Sequence, residues 1–142
     1  MYMTKTEERN LKLINKWLNA WTLPGGSIQE MLECYSNNND LEVYAPIQDH
    51  YVVKKGGSRE FWNKGEGKIE NITKSRKMNL SNIVASGNKV SIEGQIDSES
   101  VDGEKKSWNF AVFFEIDEST GLIISDHSYM PDTPGMKVLK PE

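Results

Sequence analysis

The chain has 142 residues, the length of one domain rather than two, and 17 Lys and Arg against 21 Asp and Glu leave a net charge of −4. An acidic balance with no basic excess argues against a nucleic-acid surface, and no apolar run approaches the roughly 18 residues of a membrane span. Its 4 Trp, 5 Tyr and 4 Phe argue against disorder and exceed what a bare scaffold needs.

The stretch Met1 to Leu11 is polar, with no apolar core of a signal peptide, so a cytoplasmic location is expected. Cys34 is a single cysteine, and with His50 and His127 it forms none of the usual metal-ligand spacings, so no metal site is expected. The sequence contains no G-x-G-x-x-G, no G-x-x-x-x-G-K-[ST] and no G-x-S-x-G. Phosphate-cradling loops and a nucleophile elbow are therefore unsupported, and no cofactor is expected.

Thr4 or Thr6 caps a first helix with Glu7 and Glu8 in its first turn. Leu11, Ile14, Trp17, Leu18 and Trp21 recur at helical spacing, and Pro24-Gly25-Gly26 ends the run. Ser27 with Glu30 forms a capping-box pattern for a second helix carrying Ile28, Met31, Leu32 and Tyr35. Cys34 reads as a small buried hydrophobe, since no flanking cation lowers its pKa. Leu41-Glu42-Val43-Tyr44-Ala45 alternates as a strand, which Pro46 stops. A loop from Ile47 to Gly57 follows, and a short helix from Ser58 carries Phe61 and Trp62 and ends at Gly65 and Gly67. The basic cluster Lys74, Arg76 and Lys77 reads as a solvated face.

From Met78 the chain reads as a β meander. Leu80, Ile83 and Val84 lead to a Gly87-Asn88 turn. Val90, Ile92, Gly94 and Ile96 alternate with polar residues as a half-buried strand. After a turn at Val101 to Glu104, one face carries Trp108, Phe110, Val112, Phe114 and Ile116. Asp117 to Gly121 turns the chain, and Leu122 to Met130 forms the last strand. The tail from Pro131, with Pro134, Gly135 and Pro141, reads as irregular. Helices first and an antiparallel sheet afterwards make an α+β domain spanning residues 1–142.

Three stretches carry a family resemblance. Asp40-Leu41-Glu42-Val43-Tyr44-Ala45-Pro46 matches an acid–strand–Pro element after a second helix. Gly57-Ser58-Arg59-Glu60-Phe61 matches the opening of a third helix. Phe113 to Asp117, Gly121-Leu122-Ile123 and Tyr129 match a closing hairpin with a final aromatic. In order and spacing the chain resembles the nuclear transport factor 2-like superfamily, in its SnoaL-like and ketosteroid-isomerase-like branch. The resemblance implies a cone-shaped roll, with three helices packed on a curved, mainly antiparallel mixed sheet. It also implies an apolar pocket in the wide end and a homodimer through the outer sheet face. The branch holds isomerases, cyclases, dehydratases, epoxide hydrolases and non-catalytic modules, so fold alone does not give the activity.

Residue by residue, the resemblance argues against ketosteroid isomerase chemistry. Ala45 stands where that branch has its general base, Val112 where it has the oxyanion acid, and Trp17, Leu18 and Asn19 near the place of its oxyanion Tyr. The family register puts Ile124, Asp126, Ser128 and Met130 on the cavity side and His127 outside with Ile123, Ser125 and Tyr129. There Asp126 is the candidate acid/base, because desolvation favours its neutral form and poises it for proton transfer. A one-residue slip turns Asp126 to solvent and His127 inward. His50 lies either on a plain loop or over the cavity mouth. Trp17, Trp21, Phe61, Trp62, Trp108, Phe110, Val112, Phe114, Ser128 and Met130 are the candidate ligand-lining residues, the helical aromatics being core or entrance. Two functions stay open: cofactor-free acid/base chemistry on a small apolar molecule, and a non-catalytic ligand-binding or dimerisation module.

Overall fold

A computed structural model describes residues 2–45 and 49–131; Pro46, Ile47 and the tail with Pro134, Gly135 and Pro141 lie outside them. Helix α1, Lys5–Trp21, starts at Thr4, whose hydroxyl accepts from the Glu7 N–H while the Glu7 carboxylate accepts from the Thr4 N–H. This reciprocal box satisfies two donors that a helix start leaves open. One face of α1 buries Asn10, Ile14, Trp17 and Ala20. Ser27 caps the one-turn helix α2, Ile28–Leu32, through the Glu30 N–H.

Helix α3 runs Ser58–Ile72, straight through Gly65 and Gly67, where the sequence reading ends it. Each interior glycine costs a helix about 1 kcal/mol relative to Ala. The cost is offset because the longer helix turns Trp62, Gly65 and Glu66 inward as a buried face. A second correction falls on the loop expected before α3. Strand β2, Asp49–Val53, pairs antiparallel with β1, Leu41–Ala45. With only five residues, one apolar face and an edge position, it carries too short an alternation to stand out.

Strands β3, Thr73–Ser86, β4, Lys89–Ser100, and β5, Lys105–Ile116, form the meander, and β6, Ile123–Tyr129, completes the sheet. The six strands lie in the order β2-β1-β6-β5-β4-β3, antiparallel except for the parallel β1–β6 pair. Three helices on this open mixed sheet make the α+β roll. Val90, Ile92, Ile96, Val112, Phe114 and Ile116 bury against Ile14, Trp17, Met31 and Leu32. Gly94 leaves room at the β3 bulge, where an added Cβ would collide with the Asn79 carbonyl.

Strand β6 corrects the register at its start. Ile116 pairs with Ile123 while Glu115 pairs with Ser125, so Ile124 is the extra residue of a bulge. Ile123 is thereby buried in the core and not on the outer face. Beyond the bulge Asp126 is buried, and Tyr129 is exposed on the other face.

Candidate functional site

A cavity of about 340 Å³ lies between α1, α3 and one side of the sheet. Trp17 and Trp21 reach it from α1, Trp62, Glu66 and Ile69 from α3, and Arg76 and Met78 from β3. The sheet contributes Ile96, Trp108, Val112, Asp126 and Ser128, followed by Met130. Exposed Val101, Asp102 and Glu104 of the β4–β5 turn stand at its rim.

Asp126 is 1% exposed. The Tyr35 hydroxyl donates to its Oδ2 at 2.6 Å and the Ser128 hydroxyl to its Oδ1 at 2.7 Å. The indole Nε1–H of Trp17 donates to the Tyr35 hydroxyl oxygen at 2.9 Å, so a chain runs Trp17–Tyr35–Asp126–Ser128. Burial pushes the Asp126 carboxyl above its ordinary value, against the opposing pull of the Tyr35 and Ser128 hydroxyls and of His127. Tyr35 arrives there by backbone pairing. Ile123 N–H donates to the Cys34 carbonyl and Ser36 N–H to the Ile123 carbonyl, which fixes the end of α2 beside β6.

A second buried carboxyl faces the cavity from α3. Glu66 is 2% exposed, and its Oε2 lies 3.5 Å from Nη1 of Arg76, while Oε1 is buried without a hydrogen-bond partner. Burial raises Glu66 to about 7, with the Arg76 cation opposing and the Glu70 and Asp126 carboxylates adding to the rise. Arg76 is held on three sides. Its Nε–H donates to the Trp21 carbonyl at 2.8 Å, its guanidinium lies 4.0 Å over the Trp21 ring, and its backbone pairs with Leu23. Arg76 is thus no part of a solvated basic face, whereas Lys74 and Lys77 are exposed. Strand alternation turns Lys77 away from Arg76, and Lys74 falls out of the alternation as the unpaired residue of the register shift between Thr73 and Ser75.

Among the expected lining residues, Phe61, Phe110 and Phe114 stand outside the lining. Phe61 packs edge-on against Trp62 and Tyr51, and Phe114 against Trp17 at 5.0 Å, so ring packing fills their space. Phe110 is buried opposite Gly94. His50 is exposed on β2 with Nε2 3.6 Å from Glu42 Oε2, away from the cavity lining. His127 lies on the outer face, stacked on Tyr44 at 3.9 Å. Its Nε2 meets both Glu42 Oε1 at 2.8 Å and Ser125 Oγ at 3.2 Å. Both contacts use one ring nitrogen, so His127 does not relay a proton from Ser125 to Glu42. Burial pushes the Cys34 thiol up to about 11, which keeps it unreactive. Among the described residues, no three His, Cys, Asp or Glu side chains are grouped to hold a metal ion.

The sequence reading missed Glu66 and Arg76 and gave Tyr35 no role in the site. The one available signal for Glu66 is its place four residues after Trp62 on a helix face, and that signal exists only if the helix continues past Gly65.

No protein-family model matches the sequence, and no curated protein is significantly similar to it. Solved structures are similar. A protein proposed to be a polyketide cyclase, from Xanthomonas campestris pv. campestris, superposes with a TM-score of 0.69 at 13% identity, covering 96% of this chain and 100% of that one. A proposed SnoaL-like polyketide cyclase from Jannaschia sp. CCS1 gives 0.69 at 10% identity, over 92% and 90% of the two chains. A nuclear transport factor 2-like protein from Anabaena variabilis ATCC 29413 gives 0.68 at 19% identity, over 96% and 98%. At these identities the likeness establishes the fold, which is the nuclear transport factor 2-like roll.

Proposed function

We propose that the cavity binds a small, largely apolar molecule and that Asp126 acts on it as a general acid/base without a cofactor. The observation that carries this reading is the Asp126 carboxyl, buried in the cavity wall and held by the Tyr35 and Ser128 hydroxyls. Each oxygen accepts one hydrogen bond, and a carboxylate has lone pairs beyond those two. In its ionised form Asp126 takes a proton from a carbon next to a carbonyl, and as the acid it returns that proton elsewhere on the same molecule. Such a transfer needs no co-reactant. The two similar structures described as proposed polyketide cyclases support chemistry of this type. Ketosteroid isomerase chemistry by its usual residues is not part of the proposal, because Ala45 and Val112 hold no proton to move.

The test uses hydrogen–deuterium exchange at the carbons flanking the carbonyl of 2-tetralone in D₂O, followed by NMR. The parent protein should accelerate exchange, and Asp126→Asn should lose about 10²- to 10⁴-fold of that acceleration while binding 2-methylnaphthalene unchanged. Equal acceleration in both proteins removes Asp126 from the chemistry, and no acceleration in either leaves a non-catalytic binding module as the reading. We extend the proposal to a homodimer through the outer sheet face, where Phe113 and Tyr129 pack edge to face with 50% and 40% of their surface exposed.

A further inference from the structure

We propose that Glu66 is a recognition residue for a neutral hydroxyl group on the ligand, whose O–H donates to Glu66 Oε1. This rests on the reading of the cavity as a ligand site but not on any role of Asp126. A buried carboxylate oxygen without a donor is costly, since it has given up water and gained nothing in return. In the described structure Oε1 is in that state, although Glu66 belongs to the cavity wall. Its sister oxygen Oε2 faces Arg76, which is itself fixed by Trp21. The carboxylate is therefore anchored by one oxygen and unpartnered at the other.

The same wall leaves donors open. The indole Nε1–H groups of Trp21, Trp62 and Trp108 are buried without acceptors, and all three residues line the cavity. One unpartnered acceptor and several unpartnered donors on residues of the same lining match a group that both gives and accepts a hydrogen bond. A hydroxyl does so, and a hydrocarbon or an ether does not. The surrounding charges select against ionised alternatives. An ammonium would enter beside the Arg76 guanidinium, and a carboxylate would face Glu66 and Asp126, each in a buried setting where like charges repel strongly. Of the neutral groups that both give and accept, the proposal commits to the smallest, a hydroxyl.

The experiment compares 2-naphthol with 2-methylnaphthalene, which differ by a hydroxyl in place of a methyl, by titrating the tryptophan indole N–H resonances at about pH 8.5, above the value of about 7 at which Glu66 ionises. The parent should bind 2-naphthol about tenfold more tightly, the worth of one hydrogen bond to a charged group. The double variant Glu66→Met/Arg76→Met, which leaves no unpaired ion, should lose that preference, read as the ratio of the two affinities. Glu66→Gln retains a neutral acceptor, so its preference should fall to about threefold; if the double variant does not fold, this variant decides. An unchanged preference in either variant overturns the proposal, as does its absence in the parent. A preference lost in Asp126→Asn and kept in the Glu66 variants also overturns it, and transfers the hydroxyl to Asp126. Failure of both probes to bind overturns it together with the ligand-site reading. Failure of the 2-tetralone exchange alone leaves it standing.

Discussion

The hydroxyl of Tyr35 donates a 2.6 Å hydrogen bond to Oδ2 of Asp126, joining the segment just after the second helix to the last strand across 91 residues of chain. Both groups are buried, and each alters the other. Asp126 holds the Tyr35 phenol proton in place, with burial pushing that group well above its ordinary value. The Tyr35 hydroxyl in turn restrains the rise of the Asp126 carboxyl.

Tyr35→Phe should therefore shift Asp126 to a still higher pKa, read as a displaced titration of its carboxyl carbon by NMR. The same change leaves the Trp17 Nε1–H without its acceptor, and unfolding free energy should fall by about 1 to 3 kcal/mol. A titration at unchanged pH would show that the hydroxyl does not tune this acid.

Stability should rise as the pH falls from about 7 toward 4.5. Glu66 protonates near 7 in the folded chain against an ordinary 4.5, so between those values the folded state binds more protons than the unfolded one. Stability is then lost as pH rises through that window, on the order of 3 kcal/mol for a shift of this size. Asp126, also raised, acts in the same direction from 3.8 upward. Glu7, Glu33, Asp40 and Asp117 are lowered, so the stability they add is lost as the pH drops below their ordinary values. Urea unfolding at pH 5.5 and 7.5 checks the sign, and Glu66→Gln should flatten the difference.

Removing Arg76 should cost more than removing the pair. Arg76→Met strands a buried carboxylate beside a ring that has lost its cation, a loss of about 3 to 5 kcal/mol. Adding Glu66→Met should recover most of it, because an apolar pair avoids desolvating two ions. Additive losses in a double-mutant cycle would show that the two side chains are not coupled.

Phe113→Lys places a charge on the outer face without touching the cavity lining. Sedimentation should show dimers for the parent and monomers for this variant, with the affinity for 2-methylnaphthalene unchanged. A monomeric parent removes the outer-face dimer.

Local order was legible in the residues. A threonine cap at Thr4 or Thr6, Ser27 with Glu30, the helical stripe through Ile14 and Trp17, and the alternation of Val90, Ile92 and Ile96 each act within one element, where spacing alone sets the face; that Thr4 is the cap, boxed with Glu7, came from the structure. The β6 bulge was not legible, because the extra residue Ile124 is defined only by its partner strand. Nor was α3 beyond Gly65, since glycine's propensity is overridden by what Trp62 and Glu66 bury.

The sequence by itself determined the first two helices, β1, the later meander with its closing strand, and an aromatic-rich inward face on β5, but neither β2 nor the full length of α3. The tertiary structure decided which of those aromatics wall a cavity and which fill the core, and it brought Tyr35 to Asp126 and Arg76 to Glu66. The physical reason is that a period assigns a side chain to a face but not what covers that face. Whether an acid is solvated or desolvated depends on contacts made far along the chain.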